Sequence, residues 1–360
     1  MMYEYWWANV RPLSDKKKME VRRGIDSAEE LYYIEEMKLR MFSCLEEVDI
    51  AGILKSRRMW KTKEEYEKLR QLEIEFIPWW SAGYPERLLE ISDPPYALYV
   101  KGKLPDEKLP SAAIVGARKC SPYGEAQATR YAQELAGRGV QIISGMARGI
   151  DGIGQRGALN VRGKTFAVLG CGVDVCYPRE HIGLYMDILD HGGGIISELM
   201  PGTKPLPWFF PQRNRIISGL SGAVLVMEAR EKSGSLITAD LALEQGRDVY
   251  ALPGPVNSAL SQGCNRLIKQ GAGILLSPEE LLEDLAVLGR NKMEKLYENE
   301  IKLETKENMV YSCLDFEPKN LDRLIRETKL PVTEVLSVLI SLELMGLIRE
   351  VSKNNYSKII

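Results

Sequence analysis

The chain has 360 residues, 45% hydrophobic and 27% charged, an ordinary globular composition that suggests two or three domains and excludes a disordered or fibrous chain. Lys and Arg number 48 against 50 Asp and Glu, so no bulk positive field draws the chain to nucleic acid or an anionic membrane, and any basic site must be local. No stretch approaches the ~18 apolar residues that span a bilayer, and the opening residues lack the pattern of a signal peptide.

Residues 1–75 read as helical, with apolar positions at helical spacing in AEELYYIEEMKLRMF and strong helix formers in KTKEEYEKLRQLEIEF. The Pro-rich stretch 76–110 reads as an extended connector. From 111 to 288 the pattern becomes strand, glycine loop, helix, repeated: AAIVG, VQIISG, TFAVLG, GGGIISE, SGAVLVMEA, RDVYALPG and AGILL are apolar runs separated by helical segments. Such runs form a doubly wound, mostly parallel sheet covered on both faces, with ligands beyond the carboxyl ends of its strands. Residues 289–310 are dominated by charge and read as a linker. Residues 311–360 spell helix, turn, helix and short hairpin, the order of a winged helix.

Gly152-Ile153-Gly154-Gln155-Arg156-Gly157 matches GxGxxG, but it begins seven residues beyond the end of the preceding strand, so the dinucleotide fingerprint lacks its context. Gly163-Lys164-Thr165 lacks the first glycine of a P-loop. Neither metal nor cofactor is called for: six scattered cysteines without a CxxC pair and two histidines make no zinc pattern. Cys171 and Cys176 allow a redox couple, but their apolar, Gly-rich setting favours free buried thiols in a reducing cytoplasm.

Four glycine loops that each follow a strand carry Arg or Lys. They are Gly116-Ala117-Arg118-Lys119, Ser144-Gly145-Met146-Ala147-Arg148-Gly149, Gly170-Cys171-Gly172 leading to Tyr177-Pro178-Arg179, and Lys232-Ser233-Gly234-Ser235. Backbone N–H groups in such turns and at helix N-termini receive phosphate oxygens. Residues 112–278 hold 17 basic and 13 acidic side chains, a local excess in a slightly acidic chain. The segment from Lys204 to Ile217 sets Trp208, Phe209 and Phe210 beside Arg213, Asn214 and Arg215, a mixture suited to unstacked bases and their phosphates. One of its aromatics should be exposed and the others structural.

IVGARKCSPYG, ISGMARGID, LGCGVDVCYP, FPQRNRIISGLS, EAREKSGSLITA and LPGPVN with QGCNRLIKQGA, in this order, resemble the successive motifs of the DNA-processing protein A family (DprA/Smf). The resemblance implies an extended Rossmann-like domain between an N-terminal SAM-like helical domain and a C-terminal winged helix. It further implies a non-catalytic, cytoplasmic, dimeric protein that binds single-stranded DNA, protects it during natural transformation and loads the RecA recombinase. Carried over by motif, Arg118, Arg179, Lys204, Phe210, Arg213 and Arg215 fall on the family's basic pocket. Two departures stand out: Gln155 replaces a usual histidine and His181 a usual asparagine.

The same sheet architecture also serves nucleotide phosphoribohydrolases of the lysine-decarboxylase-like class, but the loop from Lys232 to Asp240 lacks the glutamate their chemistry requires. The second helix of the winged helix, with Thr333, Glu334, Ser337 and Glu343, has no basic cluster for a DNA groove. A dimer contact is expected on the segment with Leu267, Ile268 and Gln270, an apolar centre with a polar rim.

Overall fold

The computed structural model describes residues 1–285, 305–315, 318–345 and 347–358. The chain divides into two compact units, Met1–Arg290 and Asn291–Ile360.

The first unit opens with six helices: α1 (Met2–Ala8), α2 (Asp15–Arg23), α3 (Ala28–Tyr33), α4 (Glu36–Leu39), α5 (Glu47–Met59) and α6 (Thr62–Gln71). Serine side chains start two of them, Ser14 accepting from the Lys17 N–H and Ser27 from the Glu30 N–H. The sheet follows, as β1 (Glu75–Pro78), α7 (Glu86–Leu89), β2 (Ala97–Gly102), β3 (Ser111–Val115), α8 (Pro122–Gly137), β4 (Gln141–Ser144), α9 (Ile150–Asn160) and β5 (Thr165–Val168). After a 3₁₀ turn at Arg179–His181 come α10 (Ile182–Asp190), β6 (Gly194–Ser197), α11 (Phe209–Leu220), β7 (Ala223–Val226) and α12 (Gly234–Glu244). The unit ends with β8 (Asp248–Ala251), α13 (Gln262–Lys269), β9 (Gly273–Ile274) and α14 (Pro278–Asp284).

Nine strands form one sheet in the order β1-β2-β6-β5-β4-β3-β7-β8-β9, parallel except for the antiparallel pairs β1–β2 and β2–β6. The apolar strands β3 to β7 are wholly buried, as expected of a sheet with helices on both faces.

The stretch 76–110 is therefore no connector: it holds two strands of the main sheet. Pro78 closes the edge strand β1, and Pro94 and Pro95 precede β2, places where a missing N–H costs no ladder bond. Nor do residues 1–75 stand apart. Tyr5 packs edge-on against Phe76 of β1 and Tyr99 of β2, with ring centroids 5.4 and 6.0 Å away, and Trp6 and Trp7 are fully buried in the same cluster as Ile188 and Ile195. The aromatics of the first helix weld the helical layer to the sheet.

The second unit contains α15 (Thr305–Ser312), β10 (Lys319–Asn320), α16 (Leu321–Thr328), α17 (Val332–Leu344), β11 (Ile348–Ser352) and β12 (Asn355–Lys358). Three helices and the small sheet β10-β12-β11 enclose Val310, Leu324, Val335, Leu339 and Ile348 in a winged-helix core. The charged linker read over 289–310 is thus corrected at its end: 305–310 belong to α15, and Val310 is fully buried. Residues 289–304 lie outside the described residues. On α17, Glu334 and Glu343 are the charged residues, Ile340 is exposed and Leu344 is 84% exposed.

Candidate functional site

Strand order fixes where a ligand can sit. From β3 the chain winds one way through β4, β5 and β6, and from β7 the other way through β8 and β9. The carboxyl ends of β3 and β7 therefore flank the point where the winding reverses, and a crevice opens there. It has a volume of about 720 Å³, with Val115, Ile217 and Leu260 among its apolar lining residues.

The loop after β3 supplies Gly116, Arg118 and Lys119, and the loop after β7 supplies Arg230, Lys232, Ser233 and Gly234. Arg118, Lys119, Arg230 and Lys232 are exposed, and none forms an ion pair among the described residues. The N-terminus of α12 opens onto the same crevice. Ser233 caps it, accepting from the Ser235 N–H, and nothing stands within 4 Å of where a Cβ on Gly234 would lie. Unneutralised cations beside a helix N-terminus form an anion receptor.

Aromatic rings complete the wall. Phe210, at the start of α11, stacks on Tyr177 with centroids 5.4 Å apart and planes 28° apart, and the Arg118 guanidinium lies 5.6 Å from the Phe210 centroid. Tyr177 is 41% exposed and Trp208 58%, whereas Phe209 and Phe210 are half-buried; Trp208 is the one exposed aromatic of its segment, as expected, but Phe210 lines the crevice and is not purely structural. A small pocket adjoins the crevice, lined by Gly145, Ala147, Arg148, Gly170 and Cys171 and sharing Arg118, Tyr177 and Phe210 with it.

Beneath these loops lie two buried side chains of opposite charge type, Arg213 and Asp151. Arg213 is 5% exposed and donates from Nη1 to the Val168 carbonyl at 2.6 Å. Asp151, buried on α9, accepts from the Gly145 N–H at 3.2 Å. Burial pushes the Asp151 carboxyl up, with the Arg213 charge and the Gly145 N–H opposing, and burial brings Arg213 down to about 10 despite Asp151. The guanidinium occupies the space where a Cβ on residue 145 would stand, so only glycine fits there.

The residues singled out from sequence divide accordingly. Gly116, Arg118, Lys119, Phe210, Asn214, Lys232, Ser233 and Gly234 meet in the crevice, and Gly145 and Arg148 in the adjoining pocket, where Arg148 is ion-paired with Glu180. Arg179 and Lys204 are exposed but line neither. Gly149 starts α9 and lines a separate groove. Four assignments are corrected. Ser144 is wholly buried and donates to the Ile114 carbonyl at 2.6 Å, and Gly172 is buried in a turn, donating to the Thr203 carbonyl. Arg213 is a core residue that touches the crevice only from beneath. Arg215 turns away, held bidentate by Glu198 at 2.7 and 2.6 Å and by the Asp93 carbonyl at 2.8 Å. Arg230 was missed, although its place two residues before Lys232 in the loop after β7 was readable.

Leu267, taken for a dimer contact, is 5% exposed and packs under α13 into the sheet core with Val249 and Ala251; Ile268 is half-buried against that core and Gln270 is exposed. All six cysteines are free, and Cys171 and Cys264 are buried. Among the described residues no group of three or more His, Cys, Asp and Glu is placed to hold a metal, and no helix is long and apolar enough to cross a membrane.

Comparison with known proteins gives a consistent result. Residues 75–286 match the family model of DNA recombination-mediator protein A, and residues 295–352 that of the DprA winged helix domain. Protein Smf of Escherichia coli K12 is 42% identical over 289 residues, covering 79% of this chain and 77% of the relative. The X-ray structure of DNA processing protein A from Streptococcus pneumoniae superposes with a TM-score of 0.69 at 34% identity, covering 79% of this chain and 98% of that one. A structure of DNA processing protein A from Helicobacter pylori, described for its single-stranded DNA binding mode, superposes with a TM-score of 0.53 at 30% identity, covering 59% and 96%.

Proposed function

This chain belongs to the DNA recombination-mediator protein A family, and on that premise we propose that it binds single-stranded DNA in the crevice between the carboxyl ends of β3 and β7 and delivers the strand to a RecA recombinase. The observation that carries the reading is the meeting of four cations without an ion pair among the described residues, Arg118, Lys119, Arg230 and Lys232, with the stacked Tyr177 and Phe210 in one crevice. Cations take up phosphates and aromatic rings lining a crevice take up bases of any sequence, which is the equipment of a non-specific single-strand binder. The likeness to the Helicobacter pylori protein supports the same ligand.

The role is non-catalytic. Two carboxylates nearby already have structural work: Asp151 accepts the Gly145 N–H, and Glu228 accepts the Ser121 N–H at 2.8 Å at the start of α8. The protein acts in the cytoplasm, receives incoming strands during natural transformation and works as a homodimer joined near Ile268 and Gln270, so that two crevices share one strand and gain affinity by effective concentration.

Titration of a labelled oligonucleotide in single-stranded and blunt duplex form tests the reading. Single strands should bind more tightly, with affinity falling steeply as salt rises. Equal affinity for duplex, or a flat salt response, refutes it.

A further inference from the structure

We infer that His181, accommodated by Gly152, braces the glycine loop after β4, whose Ala147 lines the crevice, and so acts as a positioning residue for the strand bound in the crevice. The inference rests on the single-stranded DNA reading above, but its structural half can be tested without DNA.

His181 ends the 3₁₀ turn and precedes α10, to which its side chain gives no capping bond. Its ring Nδ1 lies 3.0 Å from the Met146 carbonyl oxygen. A carbonyl only accepts, so Nδ1 carries a proton and donates. Met146 has φ +52°, in the left-handed region that a residue with a side chain enters at a cost. The surroundings must therefore hold that peptide.

They hold it at three successive residues. Asp151 Oδ2 accepts from the Gly145 N–H at 3.2 Å, His181 donates to the Met146 carbonyl, and the Gly152 N–H donates to the Ala147 carbonyl at 3.0 Å. Ala147 and Arg148, the next part of the loop, line the pocket that adjoins the crevice. The imidazole reaches Met146 only because residue 152 has no side chain: a Cβ there would stand 2.6 Å from His181 Cε1. An asparagine amide in place of the imidazole offers the same kind of donor on a smaller group, so His181→Asn keeps the donor and removes the ring.

The test compares wild type, His181→Asn, His181→Leu, Gly152→Ala and the Gly152→Ala/His181→Asn double variant, by fluorescence anisotropy with a labelled oligothymidylate and by amide hydrogen exchange at Gly145 and residue 152, whose N–H groups donate to Asp151 and to the Ala147 carbonyl. Loss of one hydrogen bond should weaken binding and speed exchange by about 5- to 10-fold in His181→Leu, whereas His181→Asn restores both to near wild type. Gly152→Ala should cost as much as His181→Leu when histidine is present and less when asparagine is, where the new Cβ still meets the Ala147 carbonyl oxygen at 3.2 Å; the non-additivity shows that the two residues share one contact, and recovery of both binding and exchange in His181→Asn but not in His181→Leu is what packing alone does not produce. His181→Leu behaving as wild type, or Gly152→Ala costing the same in both backgrounds, overturns the inference. A wild type that fails to bind oligothymidylate refutes the DNA reading instead, and the exchange rates then decide the brace on their own.

Discussion

Replacing Arg213 by Met removes the guanidinium while keeping much of the length of the side chain, and so separates a buried structural cation from a DNA contact. In the folded protein the substitution deletes a charged donor from the Val168 carbonyl and leaves Asp151 buried without its cationic neighbour. Leaving a buried acceptor without its charged donor costs about 1–3 kcal/mol. At about 2–4 °C per kcal/mol for a unit of this size, the melting temperature should fall by about 2–12 °C. The cost should depend on pH with a definite sign. Asp151 already titrates above its ordinary value, and without Arg213 opposing the effect of burial it should titrate higher still. A carboxyl whose folded pKa is raised contributes stability at pH values below its unfolded pKa and loses that contribution as pH rises through its folded pKa. The variant should therefore lie closest to wild type in acid and fall further behind as pH rises, with Asp151→Asn in the same chain recovering part of the loss. Urea denaturation at pH 5, 7 and 8 provides the assay. A variant with the wild-type urea midpoint but weakened DNA binding would falsify the placement of Arg213 in the core and return it to the surface.

Arg118→Ala and Lys232→Ala should behave oppositely to Arg213→Met. Each should weaken single-strand binding and reduce the slope of log affinity against log salt by about 0.7, with the melting temperature unchanged in a thermal scan, since both side chains are exposed and form no ion pair among the described residues. Tyr177→Ala should cost about 1–3 kcal/mol of binding to a normal oligonucleotide and much less with an abasic strand of equal charge; equal losses on the two strands would show that Tyr177 stacks on no base. Ile268→Glu should shift sedimentation from dimer to monomer with far-UV dichroism intact, and an unchanged mass would place the dimer contact elsewhere.

The parallel strands were legible because burial on both faces writes them as continuous apolar runs: Ala112, Ala113, Ile114 and Val115 admit little else. β1 and β2 were not, because four- and six-residue strands flanked by prolines look like a connector until their partners in the sheet are known. Within the site, sequence could not by itself sort exposed arginines from buried ones, yet one signal went unused. On α11 the buried positions include Arg213, Ile216, Ile217 and Leu220, the spacing of one apolar helix stripe, and Arg213 sits on that stripe. Asn214, one position on, lines the crevice, and Arg215, two positions on, meets Glu198. The same periodicity joins Cys264 to Leu267 on α13 and marks Leu267 as core. Motif resemblance identified which segments gather at the site, but only the helical phase says which side chains of a segment reach it.

The two antiparallel strands ahead of β3 also shield a flank. β6 pairs with β5 on one side and with β2 on the other, Tyr99 to Gly102 lying opposite Gly194 to Ser197. A chain beginning at residue 110 would lose both β1 and β2 and leave β6, with its apolar Ile195 and Ile196, as an unpaired row of N–H and C=O groups. Such a row is a template for adding a strand from any other molecule, and intact proteins blunt or cover it. Cutting the helical layer away at that point would thus open a new edge for strand addition and aggregation, even with every residue of the crevice in place.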